Sequence, residues 1–179
     1  MSHAFSFSLI TCFIYQSVLW LSEKQFKRSI YLGLLGGLIV LIRPVNILIF
    51  LFPLLYNVAT TKQFTARISY FISKWKDIIT IAFLGFLVLL PQFVYWKVIT
   101  GSWLFNSYVG ERFYFSNQHI IEGLFSYRKG WLTYTPIMIF AFVGLVFLFK
   151  KDQKYFLSIT AFLCVNIFVL YSWWSWWYG

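Results

Sequence analysis

Acidic side chains are scarce in this chain, and charged side chains of either sign are few. Its 179 residues include 5 Asp and Glu and 15 Lys and Arg, so charged residues make up 11% of the sequence. A soluble domain carries about 25% charged residues. Because 60% of the residues are hydrophobic and the mean hydropathy is +0.74, the composition indicates a polytopic membrane protein. We therefore predict an all-α fold, a single membrane domain built as a helix bundle over residues 1–179.

The chain also lacks the signatures of several enzyme and transporter classes. It contains no Walker-type glycine-rich loop, no His-x-x-x-His pair and no Gly-x-Ser-x-Gly elbow. No predicted membrane segment has an internal acidic residue of the kind that ion-coupled transporters use, which argues against a pump. Cys12 and Cys164 lie in apolar runs and act as small hydrophobic residues, so we predict neither a disulfide framework nor a metal site.

The excess of cations gives a formal net charge of +10, which fits either a polyanion partner or a membrane topology signal. Nucleic-acid binders collect Lys and Arg on a water-facing domain. Here three cations lie at 24–28, four at 62–76 and three at 150–154, each group between apolar runs. That distribution is typical of cytoplasmic loops in membrane proteins. We therefore predict no nucleic-acid partner.

Hydropathy and charge bias together predict about six membrane segments with both termini on the extracytoplasmic side. A polar extracytoplasmic loop at 100–135 separates the fourth segment from the fifth. The predicted segments cover residues 5–21, 30–42, 45–58, 78–99, 136–149 and 155–174.

The apolar run at 30–58 is interrupted by Arg43 and Pro44. It forms either one long tilted helix or a hairpin of two helices, each rising only about 20 Å at 1.5 Å per residue, less than the ~30 Å hydrocarbon core. The residue before a proline is pushed away from helical geometry, and only the hairpin keeps the cations at 62–76 on the cytoplasmic side. We therefore predict a hairpin that breaks at Arg43. We interpret the preceding small-xxx-small pattern, Gly33 and Gly37, as helix packing.

The linker at 63–76 is predicted to form an interfacial helix. An apolar face with cationic flanks lies flat among lipid head groups. The apolar residues that recur at helical spacing are Phe64, Ile68, Phe71, Ile72 and Trp75.

Five cations lie at the predicted outer face or its interface, against the positive-inside bias, namely Arg43, Lys97, Arg112, Arg128 and Lys129. Three of them are candidate phosphate ligands. Arg43 presents a planar fork that suits phosphate oxygens, or it snorkels to the lipid head groups. Arg128 and Lys129 either bind an anionic lipid-linked phosphate or anchor the loop at the interface.

The same loop contains weaker candidates. Glu111 and Arg112 form either a self-neutralising surface pair or, in a cleft, a site where the carboxylate orients a sugar hydroxyl. His119 is either a solvated residue or a further ligand contact. Tyr108 and Trp131 suit stacking on sugar rings and suit an aromatic belt equally well.

The run that begins at Gly33 and ends in Arg43-Pro44 resembles the glycine-rich helix of multi-spanning glycosyltransferases with the GT-C fold. These are the dolichyl-phosphate-mannose mannosyltransferase-like and aminoarabinose-transferase-like enzymes. A later block that contains the Arg-Lys-Gly-Trp sequence at 128–131 is similar to bacterial members of that group, as is the closing Trp-Trp-Ser-Trp-Trp-Tyr-Gly.

The resemblance implies a protein of the bacterial inner membrane that transfers a sugar from a polyprenyl-phosphate carrier to an extracytoplasmic acceptor. Its substrate would be a lipid-linked sugar donor, and a requirement for a divalent cation is left open. Arg43, Arg128 and Lys129 would bind the carrier phosphate. The residues expected to contact acceptor or sugar are Glu111, Arg112, Tyr108, His119 and Trp131.

The sequence identifies no catalytic residue. In such enzymes an acidic residue in the first outer loop serves as base or metal ligand, whereas this chain has no carboxylate before Glu23. We therefore expect an internal fragment or a truncated product of such an enzyme. The alternative is a non-enzymatic membrane scaffold or accessory subunit whose outer loop binds lipid or a partner.

Overall fold

The computed structural model of the chain describes residues 2–105 and 110–177. Within these ranges the regular secondary structure is helical, which confirms the predicted fold class, and an isolated antiparallel bridge joins Phe113 to Trp173. Three of the described helices are long and apolar enough to cross a membrane, namely His3–Glu23, Trp75–Thr100 and Gln153–Tyr171. The larger number of about six membrane segments stays a prediction.

The chain divides between residues 106 and 107 into two compact units, which we call the N-terminal unit and the C-terminal unit. The N-terminal unit contains α1 (Ser2–Glu23), α2 (Phe26–Ile42), a 3₁₀ helix (Pro44–Phe50) that leads into α3 (Leu51–Leu55), α4 (Thr61–Ser73) and α5 (Trp75–Thr100). The C-terminal unit contains α6 (Ile120–Phe125), α7 (Trp131–Tyr134), a 3₁₀ helix (Pro136–Met138), α8 (Ile139–Lys151) and α9 (Gln153–Tyr171).

The helical run through α2 ends at Arg43, where the break was predicted. The backbone of Arg43 is extended, with φ −149° and ψ 117°, because Pro44 excludes helical geometry from the residue before it. The chain then returns along α1 and α2, so that the Phe50 ring lies edge-on to Phe13 at 5.0 Å and covers Gly36. We call residues 44–55 the return arm. It begins as a 3₁₀ helix, continues as α3 and is about 20 Å long, at ~2.0 Å per 3₁₀ residue and ~1.5 Å per α residue. Membrane crossing by each short arm stays a prediction.

Helices α2 and α5 approach each other most closely at glycines. Gly33 lies against Leu84, and Gly37 lies against Gly85 and Val88. A methyl group on Gly37 would come within 2.7 Å of the Val88 Cβ, so the two backbones are closer than an alanine would allow. Because the contacts advance in the same direction along both helices, α2 and α5 run parallel. The glycine pattern therefore serves helix packing.

The large buried apolar side chains of the described ranges all belong to the N-terminal unit. They come from α1, α2, the return arm and the short linker before α4, so the core lies between these elements. Helix α5 has no buried residue in its most apolar window, as expected of a helix that faces lipid. The core residues are Phe13, Trp20, Leu32, Ile39, Ile49, Phe52 and Val58.

In the C-terminal unit, the second half of the predicted outer loop is attached to the end of α9. The Tyr114 N–H donates to the Ser172 carbonyl at 2.6 Å, and the Trp174 N–H donates to the Arg112 carbonyl at 3.2 Å. These backbone bonds hold the strand-like segment around 112–114 beside residues 172–174.

Candidate functional site

Arg43 lies at one end of the N-terminal unit, beside the first turn of α1. Its Nη2 is 3.1 Å from Nε2 of His3. A guanidinium has only donors, so Nε2 of His3 is the acceptor in this contact. Three residues beyond Arg43, the amide of Asn46 donates to the Ser6 hydroxyl at 3.4 Å. The polar residues of the turn are thus bonded to α1, while the Arg43 side chain stays exposed.

A second cation, Lys97, lies at the same end of the unit. The parallel register of α2 and α5, with Gly37 beside Val88, brings Arg43 to about the level of Val94, one helical turn before Lys97. The Lys97 ammonium donates to the Gly101 carbonyl at 2.7 Å and lies 5.9 Å from the centre of the Trp103 ring. The sequence alone did not indicate a role for Lys97. Its contacts, Gly101 and Trp103, lie in the turn that follows α5, and hydropathy does not reveal that this turn folds back.

An apolar groove runs along α5 beside Lys97, on the side of the helix away from α2. Gly101 ends α5 with φ 76°, a left-handed conformation that favours glycine, and the chain turns back toward the helix. Trp103 and Leu104 then face α5 across a groove of about 350 Å³, whose other lining residues are Phe86, Leu90 and Phe93. The Lys97 ammonium is placed at the rim of this groove through its contact with Trp103.

The C-terminal unit contains a cluster that we call the tryptophan corner, formed by Trp176 and Trp177. Their rings stand at 90° with centres 5.7 Å apart. The His119 ring stacks on Trp176 at 5.6 Å, and the Arg128 guanidinium lies 5.8 Å from the centre of the Trp177 ring. Two of the predicted site residues therefore flank one aromatic corner. The carboxylate of Glu122 lies 3.9 Å from Nδ1 of His119 and is largely exposed.

Local hydrogen bonds explain why these side chains converge. The His119 N–H donates to the Tyr171 carbonyl at 3.0 Å, so the start of α6 is fixed to the last residue of α9 and hence near the tryptophans that follow. Gly123, one turn into α6, lies directly against the Tyr171 ring, where no larger residue fits. Arg128 lies in the turn after α6, which is closed by a bond of 2.8 Å from the Gly130 N–H to the Ser126 carbonyl.

The remaining loop candidates lie elsewhere. Arg112 does not pair with Glu111: its Nε donates to the Tyr114 hydroxyl at 3.0 Å, and its guanidinium lies over the Tyr114 ring. That hydrogen bond raises the pKa of Arg112, so the side chain stays cationic. The predicted surface pair is therefore wrong, because an aromatic partner two residues away on the same side of an extended segment is nearer than the adjacent carboxylate. No hydrogen bond or ion pair joins Glu111 to another residue of the described ranges.

Trp131 begins α7 and packs edge-on against Phe142 of α8, which gives it a structural contact within the C-terminal unit. Lys129 is exposed in the same turn as Arg128. Tyr108 lies outside the described residues.

The carboxylates of the N-terminal unit lie at the end away from Arg43. Glu23 pairs with Arg28 at 2.9 Å. Asp77 is buried and accepts a hydrogen bond from Trp20. Across the described ranges, no three His, Cys, Asp or Glu side chains lie close enough together to hold a metal ion.

Comparison of the chain with family models, with curated proteins and with solved structures finds no match. The tryptophan corner and the role of Lys97 therefore depend on the geometry alone. The interpretation of the closing tryptophans as an aromatic belt stays a prediction. Their contacts with His119 and Arg128 could not be read from composition, because those partners are distant in the sequence.

Proposed function

We propose that this chain is part of a membrane glycosyltransferase that moves a sugar from a polyprenyl-phosphate carrier to an extracytoplasmic acceptor. The observation that carries the proposal is the Arg43 end of the N-terminal unit. There two cations, Arg43 and Lys97, lie at the same end of the unit as an apolar groove. A polyprenyl phosphate joins a long apolar chain to an anionic head group, which is the combination that an apolar groove with Lys97 at its rim matches.

The chemistry assigned to these residues is electrostatic. A guanidinium binds two phosphate oxygens at once, and an ammonium acts as a point charge. When the sugar leaves its carrier, negative charge grows on the phosphate, and fixed cations stabilise that transition state. Arg43 and Lys97 would perform this role in the N-terminal unit.

The tryptophan corner supports the sugar-binding part of the proposal. Indole faces provide the flat apolar surface on which a pyranose ring stacks. The exposed carboxylate of Glu122 and the cation of Arg128 lie at the edges of this surface, where they would accept from sugar hydroxyls and contact a phosphate.

The proposal includes the topology of about six segments in the bacterial inner membrane, with both termini outside. Two features support it. The chain reverses at Arg43, and the exposed cations Lys24, Lys27 and Lys62 collect at the opposite end of the N-terminal unit, as expected for the cytoplasmic side.

A second candidate function, an accessory subunit that binds the lipid carrier without turnover, is favoured by one observation. Glu23 and Asp77 lie at the end of the N-terminal unit away from Arg43, so the described residues of that unit place no carboxylate base beside the proposed phosphate site. General base catalysis needs such a group within hydrogen-bond reach.

Binding of the carrier is the first test. The full chain, reconstituted in lipid nanodiscs, is titrated with a fluorescent polyprenyl monophosphate and with the matching polyprenol. We expect preference for the phosphate. Arg43→Gln should weaken binding of the phosphate about tenfold, the usual value of one hydrogen-bonded charge contact. Lys150→Gln, which removes an exposed cation of the C-terminal unit that belongs to neither proposed site, is the matched control and should leave affinity unchanged.

Turnover separates the two candidate functions. The same nanodiscs receive polyprenyl-phosphate donors that carry different radiolabelled sugars, and release of sugar from the lipid is measured. Transfer that falls in Arg43→Gln supports the enzyme. Phosphate-specific binding without transfer supports the accessory subunit. Equal binding of phosphate and alcohol would reject both.

A further inference from the structure

Helix α4 has three distinct faces, and the first one packs against protein. The helix begins with a capping box between Thr60 and Gln63, which satisfies its first backbone N–H groups. Tyr70 and Phe71 then pack against Trp20 of α1, with ring centres 5.7 Å and 5.5 Å away. This face fixes α4 to the C-terminal end of α1, where Trp20 also contacts Asp77 in the first turn of α5.

A hydrogen bond adds a second attachment on the same face. Arg67 donates from Nη2 to the Tyr56 carbonyl at 2.6 Å, directly after the return arm ends. Burial lowers the pKa of Arg67, yet an arginine remains protonated in proteins, so the bond is charge-assisted. Helix α4 is therefore tied to α1 and to the end of the return arm at once.

The second face is apolar and uncovered. Phe64, Ile68 and Ile72 follow one another at intervals of four residues, and we call them the apolar strip. All three are exposed, Ile72 by 69%. The exposed apolar surface continues into α5 through Trp75 and Ile79. Helix α5 is long and apolar enough to cross a membrane. Lipid that surrounds its exposed side chains would then also cover the apolar strip.

The third face is polar. At 100° per residue, Lys62, Ser69 and Ser73 fall on the side of α4 that is turned away from both Trp20 and the apolar strip. A helix with a protein face, an apolar face and a polar face, in that order around its axis, fits the boundary between a bilayer and water at the edge of a helix bundle.

The charge at this end of the unit is strongly positive. Lys24, Lys27, Lys62 and Lys76 are all exposed there. The two carboxylates of the same end are already bonded, Glu23 to Arg28 and Asp77 to Trp20. The surface next to the apolar strip is therefore complementary to anionic groups.

We propose that α4 is a docking surface for an anionic lipid leaflet, separate from the carrier site at the Arg43 end. The apolar strip lies among the upper acyl chains, and Lys62 and Lys76, with Lys24 and Lys27, contact phosphodiester head groups. Since α4 is bonded to Tyr56 and packed on Trp20, occupation of this surface stabilises the packing of the N-terminal unit.

The first test uses thermal stability. The full chain in a non-ionic detergent is mixed with short-chain phosphatidylglycerol or phosphatidylcholine, and the Tm is followed. A ligand that binds only the folded state raises Tm with its concentration, so we expect a larger rise with phosphatidylglycerol. Lys62→Gln together with Lys76→Gln should weaken the apparent phosphatidylglycerol affinity about 30-fold, at ~1 kcal/mol per cation near an anionic surface.

Charge-preserving variants are the matched control. Lys62→Arg with Lys76→Arg should keep the response to phosphatidylglycerol, whereas high salt should reduce it in the wild type. An equal rise in Tm with both lipids would overturn the proposal. So would a phosphatidylglycerol response that survives the double Gln substitution.

The second test measures which face meets the lipid. In a Cys12→Ser, Cys164→Ser background, a fluorescent probe is attached at Ile72→Cys on the apolar strip or at Ser69→Cys on the polar face, in nanodiscs with brominated acyl chains. We expect quenching at position 72 and little at position 69. If the probe at position 72 is not quenched at high protein concentration and becomes quenched on dilution, a second copy of the chain covers the strip. That result would overturn the lipid assignment.

Discussion

The indole Nε1 of Trp20 donates a hydrogen bond of 2.9 Å to Oδ2 of Asp77, and both side chains are buried although 57 positions separate them in the sequence. Trp20 lies in the last turn of α1 and Asp77 in the first turn of α5, so the bond joins two of the three helices that are long enough to cross a membrane. A buried carboxylate needs such a donor, because an unpaired charge away from water is very costly. The start of α5 also favours a negative charge.

We predict that Trp20→Phe destabilises the chain, because it keeps an aromatic ring in the core but leaves the Asp77 carboxylate without this donor. The loss should be about 1.5–3 kcal/mol, the range for a hydrogen bond to a charged group. Equilibrium unfolding of the full chain in mixed micelles measures it. Trp103→Phe, at a ring that is more than half exposed, is the control and should cost much less.

Asp77→Asn extends this test without removing the ring. The amide oxygen still accepts from Trp20 and no charge is buried. We therefore expect a smaller loss than in Trp20→Phe. A loss as large as that of Trp20→Phe would show that the negative charge, and not the hydrogen bond, matters at this position.

Gly37→Ala should separate α2 from α5. A methyl group there meets Val88 and the backbone of Gly85, neither of which moves easily, so we expect a destabilisation of about 1–3 kcal/mol from overpacking. Gly144→Ala in α8 is the matched control. Apart from its chain neighbours and the backbone of α8 itself, no atom lies within 4 Å of the added carbon, and alanine is the better helix former, so stability should rise by up to about 1 kcal/mol. The same unfolding measurement applies, and similar losses in both variants would refute the packing interpretation.

The parts of the fold that were predicted from the sequence are those set by local geometry. Pro44 restricts the residue before it, so the break at Arg43 could be placed to the residue. The small-xxx-small glycines identified a helix contact, although not its partner α5. The period of Phe64, Ile68, Phe71, Ile72 and Trp75 likewise predicted a helix, although Phe71 packs against Trp20 and Trp75 begins α5.

The parts that could not be predicted depend on residues far apart in the sequence. Nothing local marks Trp20 as the partner of Asp77. Nothing local indicates that Trp176 and Trp177 contact His119 and Arg128, since these contacts follow from bonds between the start of α6 and the end of α9. The interpretation of Arg112 as an ion-pair partner was wrong for the same reason, because sequence adjacency says little about which side chain lies nearest.

Alkaline pH should destabilise the chain through Tyr70. Burial, and to a smaller extent the charge of Asp77, raises the pKa of the Tyr70 phenol above its ordinary value of 10.0. The folded state therefore holds this proton more tightly than the unfolded state. The resulting stability is fully present below pH ~10 and is lost as the pH rises through the folded pKa.

The free energy of unfolding, measured from about pH 8 to pH 11, checks this prediction. Tyr70→Phe has no phenol to titrate, so its stability relative to the wild type should increase with pH. Tyr127→Phe, at a side chain that is 92% exposed, should follow the wild-type curve. A constant difference between Tyr70→Phe and wild type across the range would contradict the burial of the phenol.

Arg128 provides the sharpest test of the C-terminal unit in the proposed function. Its guanidinium lies over Trp177 in the tryptophan corner, while Lys154 pairs with Asp152 near the opposite end of α9. We expect Arg128→Gln to weaken binding of a short-chain prenyl-phosphate sugar about tenfold, as for the loss of one charge-assisted contact. Arg128→Lys keeps the charge over the indole and should lose less. Equilibrium binding to nanodisc-embedded chain measures all three proteins.

Lys154→Gln removes the same unit charge and should leave the affinity unchanged. If both Gln variants weaken binding equally, the effect comes from net charge, and the corner does not hold the phosphate. If neither does, the phosphate assignment of Arg128 is wrong while that of Arg43 stands on its own test. The proposal requires that Arg128→Gln loses affinity, that Arg128→Lys loses less and that Lys154→Gln loses none. This pattern is expected when a phosphate lies beside a stacked sugar, because the cation and the indole face then act on one ligand.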